Sequence, residues 1–100
     1  NNGAVPGLPA DGILELPCLA AGGALRPVAV GDVPSALVAI IAKKLAAVRV
    51  TVEAALTCNR EAFVEALLLD GAVTELSAAR ALADELLTAQ RHYLPSDWDV

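Results

Sequence analysis

The sequence reads as an α+β segment in which one β-hairpin, over about residues 13–30, precedes three helices, over about 33–56, 59–69 and 77–94. Three features carry this reading. Two short apolar runs meet at Gly22-Gly23, a pair suited to a tight hairpin turn. Leu37, Ile41, Leu45, Val48, Val52 and Leu56 recur at steps of four, four, three, four and four, which keeps them on one side of a helix. Two further apolar stretches are bracketed by helix start and stop residues, Asn59 with Asp70-Gly71 and Ser77 with Pro95.

Taken in order, the opening "NNGAVPGLPADG" predicts a loop, because glycine frees φ and proline fixes it. The hairpin follows, with runs over 13–20 and 24–30. Pro17 and Pro27 cannot donate to a ladder, so the ribbon belongs at a sheet edge or with its prolines outward. A lone hairpin is marginal in water and needs helices or further strands to dock on. Asp32 reads as the N-cap of the long helix and Pro34 as a first-turn residue, where a missing N–H costs nothing. The six-residue stripe is expected to face inward, flanked by Ala39, Ala46 and Ala54, which are small enough to admit close helix approach. Arg49 and Glu53, four apart, are expected to pair on the wet side.

The second helix is expected to be capped by Asn59 or Thr57, with Glu61 near its positive end and Phe63 and Leu67 inward. The third starts at Ser77 as N-cap and carries Leu82, Ala83, Leu86, Tyr93 and Leu94 along its inner side, with Arg80 and Asp84 paired across one turn. The tail "SDWDV" is too short to fold by itself, so Trp98 either docks on the body or marks a surface for other chains.

One hundred residues make one small domain able to bury about two thirds of its unfolded surface, a thin margin. Hydrophobic residues make up 56% and charged residues 19%, which is more apolar than a free-standing domain requires, so part of the surface is expected to meet a partner. A net charge of −5, an aromatic content of 3% and no basic cluster beyond Lys43-Lys44 argue against nucleic acid. The longest unbroken apolar run, 36–42, is far short of the roughly 20 residues of a membrane helix, so no membrane span is expected. The chain contains no methionine, which predicts that it is the interior or processed part of a longer polypeptide. Cys18 and Cys58 lack CxxC spacing and read as two reduced, mostly buried thiols of a cytoplasmic protein, with a disulfide or a reactive role as the alternative.

Catalytic motifs are mostly missing. Neither GxGxxG nor GxxxxGK[ST] occurs, so no glycine loop opens onto a helix to cradle phosphate, and GxSxG and HExxH are also absent. The one histidine, His92, reads as a C-terminal helix cap favoured by the macrodipole. Tyr93 reads as a packing residue with a wet hydroxyl. Asp11, Glu15, Asp32, Asp70 and Asp84 are scattered rather than paired. Glu15, set among Ile13, Leu14 and Leu16, reads as a strand residue pointing to solvent, with an ion pair to Arg26 across the hairpin as the alternative.

Four stretches, "NNGAVPGLPADGILELP", "RPVAVGDVP", "VTVEAALTCNREAFVEALL" and "ARALADELLTAQRHYLP", together resemble the carboxy-terminal portion of the NAD- and metal-dependent glycoside hydrolases of family 4, particularly the 6-phospho-β-glucosidases. The resemblance covers essentially the whole chain in order and spacing. It runs through Asn1, Gly3 and Leu8-Pro9, then Leu14-Glu15-Leu16-Pro17, Pro27 to Pro34, Val50 to Ala55, Thr57 to Arg60 and Tyr93 to Pro95. Departures fall at Ala47-Val48, where the family has an aromatic-Glu pair, at Cys58-Asn59, where it has Gly-Asp, and at Asp70-Gly71, where it often has His-Pro.

The resemblance implies hydrolysis by oxidation and elimination rather than by two carboxylates. NAD takes hydride from the sugar, and a divalent metal, usually Mn²⁺, polarises the oxygens while a base removes the acidified proton. In the family the NAD loop, the metal-binding Cys and His, and the base all precede the Asn-x-Gly loop, so Cys18, His92 and Tyr93 inherit none of those roles. No catalytic, cofactor-binding or metal residue is therefore assigned here. The expectation is a structural carboxy-terminal segment, residues 1–100, without the NAD-binding domain. It would complete the α/β domain of a cytoplasmic enzyme, lean on the missing N-terminal part and contribute to a homo-oligomer. The rival readings are an independent helical protein-interaction module and, more remotely, a small-molecule carrier.

Overall fold

The computed structural model describes residues 1–98, with elements β1 (Cys18–Ala21), β2 (Ala24–Pro27), α1 (Ser35–Thr57), α2 (Arg60–Asp70), α3 (Leu76–Gln90) and a closing 3-10 turn at Arg91–Tyr93. A hairpin followed by three helices is the α+β order expected from the residues. The chain forms two units, Asn1–Leu45 and the residues from Ala46 onward, with α1 running through both.

In the first unit the opening loop is organised by one side chain. Asn1 Nδ2 donates to the carbonyls of Val5, Leu8 and Pro9 at 3.0–3.2 Å, and its Oδ1 accepts from the Val5 N–H at 2.8 Å. Asn2 N–H to the Ala10 carbonyl closes the loop, which buries Ala4, Val5 and Leu8. Gly12 brings this loop against α1, since a Cβ there would lie 3.0 Å from Leu45 Cδ1 and 3.1 Å from the Pro9 carbonyl. No larger residue fits that approach without displacing something.

The hairpin is shorter than its apolar runs. Gly22 and Gly23 take φ of 59° and 77°, the left-handed pair of a two-residue turn, and fix the register Ala21↔Ala24 through Cys18↔Pro27. Pairing ends where Pro17 and Pro27 run out of donors, with only Val28 N–H reaching the Pro17 carbonyl beyond it. Ile13 to Leu16 are therefore not strand, and Glu15 is exposed outside it; Arg26 stands opposite Leu19, so the cross-hairpin pair is not made. Val30 N–H bonds the Ala4 carbonyl and ties the ribbon to the loop.

Helix α1 begins one residue after Pro34, whose carbonyl accepts from Leu37 and Val38, so Asp32 is too early to be its cap. It ends with Cys58 at φ 51° and the Asn59 N–H on the Ala54 carbonyl, a left-handed termination that satisfies an end carbonyl. Asn59 then caps α2, its side chain accepting from the Ala62 N–H at 3.0 Å, while Thr57 turns back to the Glu53 carbonyl. Gly71, at φ 89°, stops α2. Ser77 is not the cap of α3: Glu75 holds that position without a side-chain bond, and Ser77 lies inside the helix.

The second unit has two small cores. Val64 on α2 meets Ala79 and Ala83 on α3, both fully buried, with Phe63, Leu67, Leu68 and Val73 around them. Alanines four apart let two helices close to short distance, and burying a side chain such as Val64 contributes about 1.5–3 kcal/mol. Ala54, Leu87 and Trp98 form the other, backed by Cys58, Ala62, Phe63 and Leu94. Trp98 thus docks on the body, its ring edge-on to Phe63 at 6.2 Å.

Candidate functional site

The side of α1 read as inward is the one left bare in the second unit. Val48, Val52 and Leu56 are 62%, 52% and 81% exposed, whereas Ala47 and Ala54 are buried. At about 100° per residue the three apolar residues lie about 100–180° around the helix from those alanines. The helices meet α1 on its methyl-sized side, which permits close approach, and the three larger residues face away from that contact. In the first unit the same stripe is half-buried at Ile41 and Leu45, while Leu37 is 51% exposed.

On α3 the line Ala79, Ala83 and Leu87 is buried, where Leu82, Ala83, Leu86, Tyr93 and Leu94 were expected. Leu82 and Leu94 are half-buried, Leu86 sits at the margin, and Tyr93, in the 3-10 turn that follows α3, is exposed. Beside Leu87 an apolar cleft of about 270 Å³ opens, lined by Thr51, Ala54, Phe63, Leu87, Leu94 and Trp98 among others. The Thr51 hydroxyl donates to the Ala47 carbonyl at 2.8 Å, which leaves that wall apolar.

Charges join α2 to α3. Arg60 donates to Asp84 through Nε and Nη2 at 2.9 and 2.6 Å and to Glu61 at 3.0 Å, and Arg80 reaches Glu61 at 3.2 Å. Arg80 and Asp84, expected to pair with each other along the helix, each turn to α2 instead. The hydrogen bond donated to Asp84, with the charges of Asp84 and Glu61, holds the Arg60 guanidinium above its ordinary pKa. These are exposed contacts that orient two helices.

The side chains with reactive groups do not converge. His92 and Tyr93 are exposed neighbours in the 3-10 turn with ring centroids 3.8 Å apart. Cys18 is exposed, its thiol on the Leu16 carbonyl, and only Cys58 is half-buried, so the expectation of two mostly buried thiols holds in part; both are free. Among the described residues no three His, Cys, Asp or Glu side chains group to hold a metal ion. No helix among the described residues is long and apolar enough to cross a membrane. Sequence reading missed Asn1 as the organiser of its loop; Gly3, Pro6, Gly7 and Pro9 signal a turn region but not which side chain holds it.

What these elements define is an α+β segment whose most distinctive surface is apolar helix rather than a cluster of reactive groups. Residues 1–73 match the family model for the Family 4 glycosyl hydrolase C-terminal domain, and the chain belongs to that family. Over 95 residues it is 32% identical to a probable 6-phospho-beta-glucosidase of Bacillus subtilis (strain 168), covering 95% of this chain and 22% of that protein. It is 30% identical over 94 residues to the 6-phospho-beta-glucosidase BglT of Thermotoga maritima, covering 94% and 23%. An alpha-galactosidase of Bacillus subtilis (strain 168) is 29% identical over 98 residues, covering 95% and 23%. The chain thus spans less than a quarter of the length of these relatives. No solved structure matches it significantly.

Proposed function

We propose that this chain serves as the carboxy-terminal part of a cytoplasmic glycosidase that hydrolyses 6-phospho-β-glucosides by NAD-dependent oxidation and elimination. Residues 1–100 are its structural part, and the NAD-binding domain belongs to the remainder of a longer polypeptide. NAD and a divalent metal such as Mn²⁺ supply the redox and Lewis-acid chemistry there. The contribution of this segment is a covering surface: α1 offers Val48, Val52 and Leu56 to the rest of the enzyme or to a second subunit of a homo-oligomer. That bare face is the observation that carries the reading, with the family membership and the two 6-phospho-beta-glucosidase relatives behind the choice of substrate.

The test is hydrolysis of p-nitrophenyl 6-phospho-β-glucoside with NAD and Mn²⁺ by the full-length protein and by the 100-residue chain. The full-length protein is expected to turn over and the chain is not. Turnover by the chain alone, or a full-length protein that cleaves only unphosphorylated or α-linked glycosides, overturns the proposal.

A further inference from the structure

We draw no further inference here: the strongest candidate, the apolar cleft between α1 and α3 beside Trp98, lies open on one side and nothing in the structure shows what covers it.

Discussion

Helices α1 and α3 carry apolar stripes of similar regularity and meet opposite fates. On α3 the line Ala79, Ala83 and Leu87 is buried against α2 and α1, whereas on α1 the line Val48, Val52 and Leu56 is left more than half exposed. The difference lies in which side of each helix another helix of the chain packs on. Methyl-sized residues allow a short interhelical distance, and the helices close on them; the larger stripe on α1 then points elsewhere. Periodicity therefore reports that a helix has an apolar side without saying whether its cover lies in the same chain.

Substitutions break or sharpen this contrast. The largest effect is expected at the packed side, where Trp98→Ala removes the edge contact to Phe63 and empties the space between Ala54 and Leu87. It should cost about 3 kcal/mol or more in urea unfolding of the chain followed by circular dichroism. Leu87→Ala, in the same core, is expected to cost about 2–3 kcal/mol, whereas Leu56→Ala on the bare face should stay within about 0.5 kcal/mol. Equal losses at Leu87 and Leu56 would erase the distinction between the two faces. Asn59→Ala removes the cap of α2 and should cost about 1 kcal/mol.

One of the small expected effects has the opposite sign. Cys58 holds φ 51°, a region that disfavours a residue with a Cβ, at the position where the family pattern has glycine. Cys58→Gly is expected to stabilise by roughly 0.5 kcal/mol in the same unfolding measurement, the relief of strain exceeding the lost contacts of the thiol. Loss of stability would mean that the packing of Cys58 on Ala54, Leu87 and Trp98 matters more than its backbone. Arg60 stays charged throughout the working pH range, as any arginine does, and its hydrogen bond to Asp84, with the charges of Asp84 and Glu61, raises its pKa further. Stability from that shift is present below the unfolded pKa of arginine and is lost only as pH rises through the folded one, so arginine deprotonation does not drive a pH dependence near neutrality. Arg60→Gln should produce a small loss that fades at about 1 M salt, where screening acts within about 3 Å.

Local chemistry made much of the fold legible. The Gly22-Gly23 turn, the Asn59 cap and the Gly71 stop act through backbone requirements written in one or two residues, and each fell where it was expected. The hairpin strands came out shorter because apolar character extends past the prolines while hydrogen bonding does not. Ser77 was misread as a cap since Glu75 reaches the same backbone position earlier without a side-chain bond. The pairing of Arg80 with Glu61 and of Asp84 with Arg60 depends on which helix lies alongside, which spacing along α3 does not contain. The inner face of α1 was misread in the second unit: the stripe of large residues reads as the packed side, whereas Ala47 and Ala54, which share the helical period, are the buried ones. Family membership was legible from the motifs themselves.

On the proposed reading, the Val48, Val52 and Leu56 face is made to be covered by protein. Light scattering of the purified chain beside its Val52→Glu, Leu56→Glu double variant tests it most directly, with circular dichroism showing that both retain their helices. Concentration-dependent self-association is expected of the unmodified chain and a monodisperse monomer of the double variant; a chain that stays monomeric at every concentration, or a variant that associates just as strongly, would show that this face needs no cover.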